Sequence, residues 1–396
     1  MSVSSNEALI NPSVLAWARE SAGFYLEEAA KKVQIEPDKL QSCEIGNDYL
    51  TISQLRKLCN VYKRPLAFFY LPNPPQLESI PKDFRRLPED DRKNISPNLR
   101  FEIRKAKYRR EIAIDLFKEL EIEIPKFKAK ATLSDDVYEV GKLIRKLLKI
   151  SFEQQENLRK ENLLNFWREK IEDLGILVFS ASLIDLKTMR GFSIDKNPLP
   201  IIVLNSKDLH KARIFTLFHE FTHLLLHSGG ICDLGEQNKI EVFCNAVAGE
   251  ALVPTDWLQA IPVVHQHNKS EWNDEEIDNL SERFGVSRVV ILRRLLTIGK
   301  TTEYFYKQKS EQFEAEYRIK INQEKAEKKP IKIQQHYKVL NQTGRKFARL
   351  VIDSYHQNKI SLLDVSEYLG TKLTHLPKIE QSLNPTHLAG EKNWHF

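Results

Sequence analysis

The segment Phe215-Thr-Leu-Phe-His219-Glu220-Phe-Thr-His223-Leu-Leu-Leu-His227 constrains this chain more than any other stretch. His219 and His223 are four residues apart, so on a helix of 3.6 residues per turn their imidazoles leave the same face and can share one metal ion. Glu220 directly follows the first histidine, where its carboxylate reaches a water held by the metal rather than the metal. Leu217, Phe218, Phe221, Leu224, Leu225 and Leu226 are apolar, which predicts a buried helix with its two imidazoles facing a cleft inside a core. A dry setting strengthens the pull of a metal on its water.

A catalytic zinc usually takes a third protein ligand and keeps one position open. Downstream, Glu236, Glu241 and Glu250 are the carboxylates to weigh. The segment Lys239-Ile-Glu241-Val-Phe-Cys244-Asn245-Ala-Val-Ala-Gly249-Glu250 has helical spacing and small residues that permit close approach to the first helix. Glu241 and Asn245 share a face, whereas Glu250, nine residues on, lies on the opposite side, so only one of the two carboxylates can face the metal. Glu241 is the expected third ligand and Asn245 the partner that holds a ligand in place. Glu250 is the alternative. His227 is in phase with His223, but at the end of an apolar helix it reads as a cap or a core residue. With those groups, zinc lowers the pKa of its water and polarises a carbonyl while Glu220 takes the proton, and peptide hydrolysis is the usual outcome.

His219-Glu-Phe-Thr-His223 preceded by Arg213-Ile-Phe-Thr-Leu-Phe, then Glu241-x-x-Cys-Asn245, then Ala251-Leu-Val-Pro254, resembles the bacterial ImmA/IrrE-type metallopeptidases, gluzincin-like enzymes that cleave repressor proteins. The likeness extends to the N-terminal helices and to Gly344-Arg-Lys-Phe347 onward, as in long members with an Xre-type helix-turn-helix module ahead of the peptidase. It implies His219, His223 and Glu241 as zinc ligands and Glu220 as the catalytic base.

At 396 residues the chain can hold two or three domains. Cys43, Cys59, Cys232 and Cys244 lie far apart with no Cys-x-x-Cys pair, so neither a disulfide framework nor a cysteine zinc site is indicated, and a reducing cytoplasm is expected. Met1 to Asn11 lacks a basic start followed by an apolar run, and no stretch approaches the roughly 18 apolar residues of a membrane span. The net charge of +6 says little about nucleic acid without its distribution.

From Asn11 to about Leu71 the apolar spacing predicts four or five short helices. Ser13 starts the first, Leu26, Ala29, Ala30 and Val33 mark the second, Pro37 opens a third that Gly46 stops, and Leu55, Leu58 and Val61 carry a fourth. Glu44-Ile-Gly46 followed by Thr51-Ile-Ser-Gln-Leu55 resembles the Xre-type helix-turn-helix, with Pro37 to Ile45 in the recognition position. The candidate DNA contacts are Gln41 and Ser42 for base edges and Lys31, Lys32 and Lys39 for phosphate. Against them stand Glu36, Asp38 and Glu44. The alternative is a bundle used for dimerisation or for sensing a partner.

Leu71-Pro-Asn-Pro-Pro75 and Ile80-Pro81 mark a boundary. Beyond Asp83-Phe-Arg85-Arg86, the segment Asn98 to Glu121 keeps an apolar stripe opposite Arg100, Arg104, Lys105, Lys107, Arg109 and Arg110. That face reads as a solvated surface, or as one that steers nucleic acid or an acidic protein. Ser134 to Lys170 predicts a helical scaffold. Gly175 to Ser180, Gly191 to Ile194 and Leu199 to Leu204 predict three strands, and a small sheet on the metal helix whose edge could pair with an extended peptide. Arg213 reads as a salt-bridge residue, and His210, His265, His267 and several tyrosines are open candidates for the oxyanion donor. Ile277 to Ile298 predicts two helices around a turn, which the resemblance assigns to the peptidase rather than to a second DNA-reading unit. Lys300 to Lys332 reads as a mobile or solvated charged helix. Gly344 to Leu376 reads as a helical unit that docks on the peptidase or pairs two chains. Asn384 to Phe396 has no core pattern.

The expected class is therefore mainly α with a small β-sheet: a helix-turn-helix domain at 1–75, a helical linker and scaffold at 76–170, a zinc metallopeptidase core at 171–300, and a charged connector with a C-terminal helical unit at 301–396. The expected function is a cytoplasmic zinc endopeptidase acting on a protein partner, a repressor by the resemblance, with DNA and a second copy of the chain as further partners. The reading from another class is a DNA-binding regulator or antitoxin whose metallopeptidase domain senses or is inactive. A third is a dead peptidase domain kept for protein recognition.

Overall fold

A computed structural model of the chain describes residues 7–76, 95–158, 162–227, 234–327 and 334–383. Ile80-Pro81, Asp83 to Arg86, Cys232, the last part of the charged stretch to Lys332 and Asn384 to Phe396 lie outside the described residues, as does the side chain of Glu236. The described residues are mainly helical with two small sheets, and the chain divides into two compact units, Met1–Lys107 and Tyr108–Phe396. No described helix is long and apolar enough to cross a membrane.

The first unit runs β1 (Glu7–Ala8), α1 (Pro12–Ala22), α2 (Leu26–Val33), α3 (Pro37–Glu44), β2 (Leu50–Thr51), α4 (Ile52–Tyr62) and a 3-10 turn (Leu66–Tyr70), and takes in the start of α5 (Pro97–Glu119). Leu15, Ala18, Ala30, Leu40, Leu55, Leu58 and Tyr62 form its core. The first helix starts one step earlier than Ser13 predicts: the Asn11 side chain accepts the Ser13 amide and Pro12 fills the first helical position. Thr51 and Gln54 make a reciprocal cap on α4. Glu44 is not part of an acidic surface. Its carboxylate accepts from Arg19 Nε at 2.8 Å with little of the side chain exposed, which ties α3 to α1.

The second unit continues with α6 (Val137–Leu148), α7 (Phe152–Glu156), α8 (Leu163–Glu172), β3 (Leu177–Ala181), β4 (Gly191–Ile194), β5 (Ile201–Asn205), α9 (His210–Leu226), α10 (Leu234–Leu252), α11 (Thr255–Ala260), α12 (Pro262–His265), α13 (Asp274–Phe284), α14 (Arg288–Thr297), α15 (Glu303–Glu327), α16 (Gln335–Thr343), α17 (Arg345–His356), α18 (Leu362–Leu369), a 3-10 turn (Leu373–His375) and α19 (Leu376–Leu383). Its sheet has the order β3-β5-β4, with β3 parallel and β4 antiparallel to the central β5. Every residue of β3 and β5 is buried, as their unbroken apolar runs require.

Helix α9 is the axis of this unit. Ile214, Leu217, Phe218, Phe221, Leu224 and Leu225 are all buried in the main cluster, and each side chain contributes about 1.5–3 kcal/mol by leaving water. Trp167 of α8 meets Phe218 edge-on at 4.9 Å. Ile277, Leu280, Phe284, Ile291, Leu292 and Leu295 join the same cluster, so α13 and α14 are part of this core.

Three sequence expectations are corrected. The basic face of α5 is only partly a solvated surface: Lys105 is exposed, whereas three of its arginines are taken up by backbone carbonyls. Arg104 donates to the carbonyls of Tyr62 and Lys63 within the first unit, while in the second Arg110 donates to those of Pro198 and Leu199, and Arg109 to that of Gln342. Arg109 and Arg110 are buried because a guanidinium with several donors can satisfy carbonyls that chain turns leave open. The charged helix α15 is docked along its first half through Phe305 and Phe313, and Arg288 pairs with Glu316. Arg213 hydrogen-bonds two neutral acceptors, Ser180 Oγ at 3.3 Å and Asn341 Oδ1 at 3.2 Å, rather than simply closing a salt bridge.

Candidate metal centre

Helices α9 and α10 bring His219, His223 and Glu241 together. One donor atom from each lies within 4.8 Å of the others. The two Nε2 atoms are 3.1 Å apart, Glu241 Oε2 is 3.2 Å from His219 Nε2, and Glu241 Oε1 is 3.3 Å from His223 Nε2. A tetrahedron with ligand distances of about 2.0–2.1 Å has edges of about 3.3 Å, so two imidazole nitrogens and a carboxylate at these separations fit a zinc-sized ion. His223 is buried, His219 less so, and Glu241 is half-exposed, which opens the group on one side.

Asn245, one turn beyond Glu241, faces His219: its Oδ1 accepts from Nδ1 at 2.9 Å, which leaves the Nε2 lone pair directed at the other donors. No such acceptor serves His223, whose Nδ1 is buried without a hydrogen-bonded partner among the described residues. The side chain beside that ring is Cys244. Burial alone pulls the His223 imidazolium down, but Cys244, Glu241 and the charge of Glu220 outweigh it and push the group up to about 11. Burial raises Glu241, and the two imidazoles more than reverse this, holding its carboxyl well below the usual range. Burial pushes the Cys244 thiol up.

Glu220 is buried beside the histidines, and its Oε2 accepts from Ser193 Oγ of β4 at 2.9 Å. Glu250 is elsewhere. Its carboxylate accepts from the Thr255 amide at 2.8 Å and the Thr255 hydroxyl at 2.9 Å, and pairs with buried Arg294. His227 is the C-cap of α9, in the left-handed region at φ 41°, with Nδ1 on Asp195 and Nε2 on the carbonyl of Ala129. His210 Nε2 accepts from the Leu164 amide, and His267 stacks on Trp272 while donating to Glu271 O. Among the other candidates, Lys31, Lys32 and Gln41 are exposed on α2 and α3, Ser42 is half-buried, and Lys39 lies 3.5 Å from Asp48.

Ser193 and Asp195 were not singled out in the sequence, and Cys244 only as part of the motif that ends at Asn245. The alternation Gly191, Ser193, Asp195 puts these residues on one face of a strand, but nothing local says that this face meets the metal helix. Residues 171–296 match the Peptidase_M78 family model, described as the IrrE N-terminal-like domain. No curated protein and no solved structure matches the chain. The stretch that carries the sheet, the metal helix and Glu241 is therefore similar to the ImmA/IrrE-type peptidase domain that its motifs resemble.

Proposed function

We propose that the second unit is a zinc-dependent endopeptidase and that the chain cuts a protein partner in the cytoplasm, a transcriptional repressor by the resemblance. The observation that carries this reading is the set of three donor atoms at tetrahedral-edge separations with the buried Glu220 carboxylate next to them. His219, His223 and Glu241 would hold the metal, with Asn245 fixing the tautomer of His219. A bound zinc ion supplies an acidified water and a Lewis acid for the scissile carbonyl. Glu220 would take a proton from the attacking water and return it to the leaving amine. The edge strand β4 receives the substrate backbone through main-chain hydrogen bonds. The first unit we assign to recognition, as an Xre-type module whose exposed Lys31, Lys32 and Gln41, with Lys39 and Ser42, face DNA.

Metal analysis of the full chain, combined with incubation against helix-turn-helix repressors encoded by neighbouring genes, tests the reading. About one zinc per chain and a cut repressor are expected. Glu220→Gln should keep the metal and lose the cut. Cleavage by that variant at the parent rate, or a parent chain that takes up no zinc, would overturn the proposal.

A further inference from the structure

The geometry points to Ser193 as the residue that positions Glu220, and to the edge strand β4 as the element that sets where the base stands. The inference rests on the hydrolytic reading above and adds a residue to it.

Residues 191, 193 and 195 alternate onto one face of the strand and its extension. That face runs along α9. At Gly191 a Cβ would lie 2.5 Å from Thr216 Cγ2, 3.2 Å from Val203 O and 3.4 Å from Glu220 Cγ, so only glycine lets the strand come this close to the helix. Two residues on, Ser193 Oγ donates to Glu220 Oε2 at 2.9 Å, with both residues buried. At the far end the Asp195 carboxylate accepts a hydrogen bond from His227 Nδ1 at 3.1 Å, where α9 terminates. The strand is thus fastened to the metal helix on both sides of His223.

A carboxylate has two equivalent oxygens on a soft terminal torsion. A buried hydroxyl donating to one of them fixes the plane of the group, which is how a supporting shell gives a catalytic group one productive geometry. The bond from Ser193 Oγ to Glu220 Oε2 is the route by which Ser193 bears on the base. It also sits in the strand at the sheet edge, so the element that would pair with substrate is the one that holds the base.

The test uses the full chain loaded with Co2+ and titrated with an N-acyl-leucine hydroxamate, read by the visible absorption of the cobalt. Metal affinity is measured separately by chelator competition. Hydroxamate binding draws on the Glu220 carboxylate, so Glu220→Gln should weaken it by about a hundredfold. Ser193→Ala should weaken it by about tenfold, the value of one hydrogen bond to a charged group. Ser193→Thr, which keeps the hydroxyl, should restore binding to within about twofold. Metal affinity should stay at the parent value in all three. Parent-like binding by Ser193→Ala alongside weakened binding by Glu220→Gln would overturn the role of Ser193 alone. Parent-like binding by both would overturn the hydrolytic reading beneath it. Loss of metal in Ser193→Ala would place Ser193 in the support of the ligands and not of the base.

Discussion

Arg294 closes on Glu250 with each side chain only 4 % exposed, so the last carboxylate of α10 is spent on holding α14 against α10. The same guanidinium reaches the carbonyl of Val253 and the hydroxyl of Thr255. Arg294→Ala takes the cation away from the buried Glu250 carboxylate, and a broken buried pair of this kind costs about 3–5 kcal/mol. Glu250→Ala should likewise lower the urea midpoint of the second unit yet leave zinc content unchanged. Glu241→Ala should do the reverse, with zinc lost and the fold kept. Full zinc in Glu241→Ala, or zinc lost in Glu250→Ala with the fold intact, would exchange the roles given to these carboxylates.

Asn341 joins the C-terminal helices to the metal helix through one oxygen. Its Oδ1 accepts from Arg168 Nη1 at 3.1 Å, Arg213 Nη2 at 3.2 Å and Ser180 Oγ at 3.4 Å. Both guanidiniums are buried, which lowers the pKa of each, that of Arg213 to about 10. Asn341→Ala removes the acceptor from three buried donors, at about 1–3 kcal/mol for each one stranded. Asn341→Asp puts a negative charge where two positive ones converge and should unfold at or above the parent midpoint. Equal midpoints for the parent and the alanine variant would show that the oxygen carries no stability.

The separate readability of these features follows from distance along the chain. The grouping of His219, His223 and Glu241 was legible because its determinants are local: His219, Glu220 and His223 lie within one helical turn or so, and helical phase alone separates Glu241 from Glu250. The strands and the short N-terminal helices were legible for the same reason. What failed to show was who faces whom. The arginines of α5 read as a surface because their acceptors are the carbonyls of Pro198, Leu199 and Gln342, which have no side-chain code. Glu44 read as surface charge because its partner Arg19 is two helices away. Helix α15 read as solvated because Phe305 and Phe313 are too sparse among its charges to form a periodic stripe, although both are buried. Ser193 could have been found only by knowing which face of β4 packs on α9.

Glu172 gives the second unit a pH dependence of a definite sign. It lies at the end of α8 against the start of α17, where it accepts the backbone N–H of Lys346, and a Cβ at Gly344 would fall 2.4 Å from its Oε1. Burial pushes its carboxyl from an ordinary 4.5 up to about 7, with the charge of Arg168 opposing the rise. The folded chain therefore holds a proton that the unfolded chain has released at any pH between these two values. Stability from this group falls as pH rises through that window and is level on either side of it. The full loss is on the order of 3 kcal/mol, from about 1.4 kcal/mol per unit. Glu172→Gln mimics the protonated group and should be spared the loss. Urea unfolding of parent and variant at pH 5 and pH 8 should give a gap that widens at pH 8 in favour of the variant. A gap of the same size at both values would mean that Glu172 is ionised in the folded chain throughout, with Arg168 winning over burial.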